Sequence, residues 1–278
     1  MDKRSRRSNM VLTLVITVLA IAFMIPIIVI FFNSFKGKLY ISNAPFELPT
    51  AESFVGINNY VNGLAKTGLI QAFGWSLFIT VGSVVVILLF TSMTAWYITR
   101  VKNKAMSMLY YLFVFGMIVP FQMVMFSMSK IANMLSLDNP VGIIVIYLGY
   151  GAGLSIFMFS GFVKSIPIEI EEAAFIDGCT PFQTYFRVVF PILKPTTITV
   201  AVLNVMWIWN DYLLPTLVLP SEIKTIPMAI QYLRGGYGSI DMGDMMAMLV
   251  LAIVPIIIFY LFCQKYIIRG VAAGAVKG

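Results

Sequence analysis

Six apolar stretches, each long enough to cross a bilayer, restrict the fold of this chain more than any other feature. They cover roughly residues 11–32, 73–98, 105–126, 141–163, 196–218 and 245–262. A membrane's hydrocarbon core takes about 20 residues of helix to cross. Inside it, only a helix or a closed barrel satisfies every backbone N–H and C=O. The chain is 60% hydrophobic and 11% charged, against about 25% charged in a soluble domain, so it cannot clothe a water-facing surface. The expectation is an all-α polytopic membrane protein with six transmembrane helices. It is read as one transmembrane domain over 1–278, divided into an anchor helix and outer loop (1–68), core helices (69–264) with a helical elbow at 165–191, and a tail (265–278).

The basic residues set the orientation. Lys3, Arg4, Arg6, Arg7, Arg100, Lys102, Lys104, Lys164, Arg187, Lys194, Lys265, Arg269 and Lys277 fall in segments on the side of the N-terminus. Lys36, Lys38, Lys66, Lys130, Lys224 and Arg234 fall on the other. The positive-inside rule places both termini in the cytoplasm. The net charge of +7 is thereby explained by topology, with no nucleic-acid partner. The first span follows a basic run, as a signal peptide does, but its apolar length exceeds the roughly 7–15 residues of a signal's apolar region and no A-x-A site follows. It reads as a retained anchor.

Several chemistries are not expected. There is no histidine, which removes the commonest metal ligand and proton shuttle. Cys179 and Cys263 both fall on the cytoplasmic side, where a structural disulfide is not expected. No zinc spacing, G-x-S-x-G, paired-carboxylate site or G-x-x-x-x-G-K-[ST] is present. The chain is read as non-catalytic, with no cofactor and no metal.

The break between the fourth and fifth spans is different from a plain loop. Residues 171–191 read EEAAFIDGCTPFQTYFRVVFP. Pro167 and the acids Glu169, Glu171 and Glu172 suit a helix start, Ala173 and Ala174 its middle, and Gly178 after Asp177 its left-handed stop. Thr180, Pro181 and Gln183 then spell a capping box opening a second helix. Phe182, Tyr185, Phe186 and Val189 form one apolar face, and Pro191 and Pro195 are expected to end it. An elbow of this kind on the cytoplasmic side either projects as a knob for a soluble partner or lies along the headgroups; the three acids favour the knob.

The spacing E-A-A, three residues, G, nine residues, then an aliphatic-x-aliphatic-P pattern resembles the signature loop of permease subunits in bacterial ABC importers. Here it is Glu172-Ala173-Ala174, Gly178 and Val188 to Pro191, with Phe190 where the family usually has leucine. WNDYLLP at 209–215 and QKYIIRGVAAGAVKG at 264–278 are similar to the sugar-importing branch, the maltose permease G-type subunit in particular. The resemblance implies a type I ABC importer permease fold in a bacterial inner or plasma membrane. Its implied partners are a second homologous permease (a heterodimer), two ATP-binding subunits, an extracytoplasmic sugar-binding protein and membrane lipid. It also implies an ATPase-coupling elbow at Glu171, Glu172, Ala173, Ala174, Asp177, Gly178, Phe182, Phe186 and Pro191, with ATP hydrolysis left to the partners.

Two further sets remain open between function and structure. Trp207, Asn210, Asp211 and Tyr212 either line a substrate path or fix helix packing and the interfacial belt. Tyr232, Gly235, Gly236 and Tyr237, in an outer loop, either meet the binding protein or sit at the headgroups. Gly149, Gly151 and Gly153 form a small-residue face for close packing, Pro120 and Pro255 read as kinks within spans, and the glycine-rich end from Gly270 reads as mobile in isolation. The alternative class is an ion-gradient-driven carrier, which commonly has inverted repeats and buried ionisable groups. No clear repeat is present, and Asp211 is the acid well inside a span.

Overall fold

The computed structural model describes residues 3–231, 233 and 241–275, with side chains for 10–231, 233 and 241–265. The helices are, in order, α1 (Lys3–Asn33), α2 (Lys38–Asn43), α3 (Asn58–Thr67), α4 (Leu69–Arg100), α5 (Lys104–Ile118), α6 (Phe121–Met134), α7 (Gly142–Val163), α8 (Ile168–Ile176), α9 (Pro181–Thr184), α10 (Phe190–Ile192), α11 (Lys194–Asn210), α12 (Leu213–Val218), α13 (Ile226–Gln231) and α14 (Met242–Ala275). A π-helical turn, Tyr185–Val189, joins α9 to α10. Among the described residues there is no strand, only an isolated bridge between Lys36 and Phe54.

Four helices are long and apolar enough to cross a membrane unaided: residues Met10–Asn33, Leu69–Arg100, Gly142–Val163 and Met242–Lys265. Two bent pairs bring the number to six. The stretch expected as the third span, with a kink at Pro120, is one of them, and there α5 and α6 meet at 106°. The cause is Pro120, which stands extended at ψ 133° as the N-cap of α6 and has no N–H to continue α5. The second pair is residues Pro181–Ile192 with α11, bent by 76°.

Two expectations about helix ends are corrected. Pro191 does not end the elbow's second arm, because the chain stays helical to Ile192. The wider turn before it, where Phe190 N–H bonds to the carbonyl of Tyr185, makes room for a ring that clashes in a regular α-helix. The fifth span stops at Asn210, and residues 213–218 form the separate helix α12. The chain from Gly270, read as mobile in isolation, is helical to Ala275, and Pro255, read as a kink, lies within α14 without ending it.

The molecule divides into two compact units, Met1–Ile70 with Ala229–Pro255, and Gln71–Met228 with Ile256–Gly278. In the first, the segment after α1 is a built cap rather than a plain loop. Lys36 is buried, and its ammonium donates to the carbonyls of Ala44 and Glu47, both at 2.7 Å. Burial pushes that ammonium below its usual range. Asn59 Nδ2 donates to the carbonyls of Ser34 and Lys36 at 2.8 and 2.9 Å. Helix α3 is tied to the start of α14 by Lys66, which donates to Asp241 and Asp244 at 2.6 Å each; these bonds hold the ammonium above its ordinary range.

The second unit is organised around α7, whose Ile143, Tyr147, Ile156, Phe159 and Val163 are buried. Of the three glycines expected to pack closely, two do. A Cβ on Gly153 would lie 2.8 Å from the Phe113 carbonyl oxygen of α5, and one on Gly151 would lie 2.6 Å from Ile87 Cδ1 of α4. Nothing stands within 4 Å of a Cβ on Gly149. Small residues thus let α5 and α4 approach α7. A second apolar cluster joins Phe159, Val163 and Ile166 to Ala95, Tyr185, Val189 and Leu193, and it forms the floor on which the elbow stands.

Candidate functional site

The elbow is closed by two local devices. At the end of α8, Gly178 takes φ +83°. Its N–H reaches the Phe175 carbonyl at 3.0 Å, and Cys179 N–H reaches the Ala174 carbonyl at 2.9 Å. These two bonds are the Schellman pattern, which needs a left-handed residue at that place. The next helix opens with a complete capping box. Thr180 N–H donates to Gln183 Oε1 at 2.8 Å, and Gln183 N–H donates to Thr180 Oγ1 at 3.3 Å. Losing such a cap costs about 1 kcal/mol, so the corner between the arms is stiff.

The sequence groups Phe182, Tyr185, Phe186 and Val189 on one face, and the π turn divides them. Tyr185 and Val189 are buried in the floor, while Phe182 and Phe186 stay exposed with ring centroids 5.3 Å apart. Among the residues that present an outer surface are Glu172, Ala173, Phe175, Ile176, Asp177, Gly178, Phe182, Phe186 and the cation Arg187, with Ile176 86% exposed. Ala174 faces inward. An apolar tip next to acids is unusual for a surface left in water, and patches of this kind mark binding sites.

Glu171 is a correction to the expected contact surface. Its carboxylate does not point outward; it is 2% exposed. Arg100 donates to Oε1 from Nε at 2.9 Å and from Nη2 at 2.7 Å, and Trp96 Nε1 donates to Oε2 at 2.9 Å. Arg100 Nη2 also reaches the carbonyl of Ile166 at 3.0 Å. A buried carboxylate must be paired and hydrogen-bonded to be tolerated, and hydrogen bonds to charged groups contribute about 1.5–3 kcal/mol each. Trp96 and Arg100 were missed in the sequence. The repeat of Ser92, Trp96 and Arg100 at successive intervals of four was the available signal.

At the break in the fifth span, Asp211 is a local organiser. Its Oδ1 accepts from the N–H groups of Leu213 and Leu214 at 3.0 and 3.4 Å, which starts α12. Its Oδ2 accepts from the buried Tyr147 hydroxyl at 3.0 Å. Trp207 meets the Tyr147 ring edge-on at 5.5 Å. Asn210 donates to the carbonyl of Met206 at 2.6 Å, and Trp209 packs against Phe73. Tyr212 is half-buried at the break itself. Tyr232, Gly235, Gly236 and Tyr237 lie outside the described residues.

Residues 93–273 match the family described as the binding-protein-dependent transport system inner membrane component. The chain belongs to this family. It is therefore a multi-pass inner membrane component of a binding-protein-dependent transport system. A probable starch degradation products transport system permease of Thermoanaerobacterium thermosulfurigenes is 40% identical over 268 residues, 96% of each chain. A multiple sugar-binding transport system permease of Streptococcus mutans is 38% identical over 94% of this chain and 95% of its own. A melibiose/raffinose/stachyose import permease of Bacillus subtilis is 29% identical over 98% of each. In fold, a bacterial ABC transporter involved in the import of the acidic polysaccharide alginate matches with a TM-score of 0.78 at 24% identity, over 96% of this chain and 98% of that one. Membership sets aside the ion-gradient-driven carrier. The elbow motif, residues 172–191, lies wholly inside the family match.

Proposed function

We propose that this transport component is a permease subunit of an ATP-driven importer of di- or oligosaccharides. It forms half of the translocation path and performs no chemistry itself. It pairs with a second, similar permease, two ATP-binding subunits that hydrolyse the ATP, and an extracytoplasmic sugar-binding protein. The sugar class rests on the names of its full-length relatives. The coupling role rests on one observation above others: a stiff elbow that exposes an apolar tip beside acids. In this reading Glu172 and Asp177 meet basic residues of the ATPase, Ala173 and Gly178 permit close approach, and Phe182 and Phe186 seat the knob. Closure of the ATPase pair then favours one of two arrangements of the spans, a shift driven by differential binding. Trp207, Asn210, Asp211 and Tyr212 border the sugar path where the fifth span breaks. Tyr232, Gly235, Gly236 and Tyr237 meet the binding protein.

The test is purification of the tagged chain from its host in mild detergent, with mass spectrometry of what accompanies it. A P-loop ATPase and a second permease are expected, and Glu172→Lys or Gly178→Asp should release the ATPase while the variant stays in the membrane. Recovery of the chain alone in several detergents, or normal sugar uptake by either variant, would overturn the proposal.

A further inference from the structure

The polar residues at the Arg100 end of α4 do more than neutralise Glu171. Ser92, Trp96 and Arg100 recur every four residues, so they form one stripe along α4. That stripe grips both arms of the elbow. On the first arm, Arg100 and Trp96 satisfy both oxygens of Glu171, and Arg100 also holds the carbonyl of Ile166, just before α8. On the second arm, the hydroxyls of Ser92 and Tyr185 are 2.6 Å apart. Because the Ser92 hydroxyl donates to the carbonyl of Leu88, Tyr185 is the donor of the shared bond. The ring of Trp96 lies 5.5 Å from that of Tyr185, so a single indole touches both arms. Glu171 and Tyr185 are 2% and 1% exposed, which keeps water from competing for these bonds.

The elbow is joined to α7 before it and α11 after it by the chain itself and by the apolar floor, where Tyr185 and Val189 share one cluster with Phe159 and Val163 of α7 and Val200 of α11. The chain links are a short non-helical segment at one end and the 76° bend at the other, and the floor is apolar packing, which is not directional. To these the stripe adds directional attachments to a helix distant in sequence, through charged and buried hydrogen bonds. We infer that α4 is the principal lever of this permease: force on the elbow reaches the spans through the Glu171–Arg100–Trp96 and Tyr185–Ser92 contacts, with these as positioning residues and not as contacts to the ATPase. This inference rests on the coupling role proposed above.

The experiment uses the whole complex, purified from its host and reconstituted in proteoliposomes with its own binding protein. ATP hydrolysis and uptake of radiolabelled maltose, maltotriose or raffinose are measured together. Glu171→Gln, which keeps the shape and removes the charge, should still co-purify with the ATPase and hydrolyse ATP. The sugar moved per ATP should fall about tenfold. Tyr185→Phe removes only one hydroxyl, cannot unseat the fold, and should lower the same ratio about threefold. An unchanged ratio in Tyr185→Phe and in any Glu171→Gln complex that assembles would overturn the lever. So would loss of the ATPase from Glu171→Gln with Tyr185→Phe fully coupled, since Glu171 would then act at the docking surface or in folding alone. Failure of the unsubstituted complex to contain an ATPase would instead remove the functional proposal, and the lever with it.

Discussion

Substitutions at Gly178 separate backbone strain inside the elbow from space needed by a partner. Gly178 sits at φ +83°, and a Cβ built there meets no atom of the described residues within 4 Å, its two chain neighbours apart. Among the described residues, then, the penalty for Ala is the left-handed conformation, about 1–2 kcal/mol. Asn costs less, because its short side chain hydrogen-bonds locally in that region, and β-branched Val costs more. If the free elbow relieves the strain by opening its Schellman turn and must re-form it to dock, Ala weakens docking by about 5- to 30-fold, at 1.4 kcal/mol per tenfold. The assay is a binding isotherm of the purified ATPase subunit on the permease pair in nanodiscs. The expected order of affinity is Gly, Asn, Ala, Val. Equal and severe losses for Asn, Ala and Val would refute the strain argument, and would mean that the partner surface leaves no room for any Cβ. Unchanged affinity for Val would refute the elbow's part in docking.

Two further outcomes follow from the packing. Gly149→Ala should stabilise the protein by about 0.5–1 kcal/mol through helix propensity, whereas Gly153→Ala drives a methyl against the Phe113 carbonyl, backbone that cannot swing aside, and should cost about 1–3 kcal/mol. Thermal unfolding in detergent should move in opposite directions for the two, and a shift of the same sign would show that the α5–α7 approach is not what selects glycine. Lys66→Met leaves Asp244, with 2% of its side chain exposed, without its cation. The loss should be about 1–3 kcal/mol for an unpaired buried acceptor, towards the low end because Lys66 is half in solvent. Adding Asp244→Asn should recover part of the Tm, and a double variant less stable than the single would contradict the pairing.

What was readable in advance was whatever depends on short-range rules. The apolar lengths of spans one, two, four and six need only the thickness of a bilayer, and the structure has helices at all four. The elbow's corner was legible because a Schellman turn and a capping box each act over about six residues, and their signals, Gly178 and Thr180 with Gln183, are local. The bend at Pro120 was legible from the proline itself, but hydropathy could not reveal the break at Asp211, because averaging over some 20 residues hides one competing carboxylate. The π turn was equally hidden: one extra residue per turn moved Tyr185 and Val189 to the floor and left Phe182 and Phe186 outside.

The amino-acid sequence by itself determined that this chain lives in a membrane, how often it can cross, and that it carries a capped elbow. The direction in which each elbow side chain points was decided only by tertiary structure. Glu171 and Glu172 are neighbours with the same chemistry, yet one is exposed and the other is buried against Arg100 and Trp96. Successive helical residues diverge by about 100°, so which of the two turns inward depends on where α4 lies, 71 positions away in the chain. No local rule carries that distance, and the burial of a charge is settled by whether a partner is there to meet it.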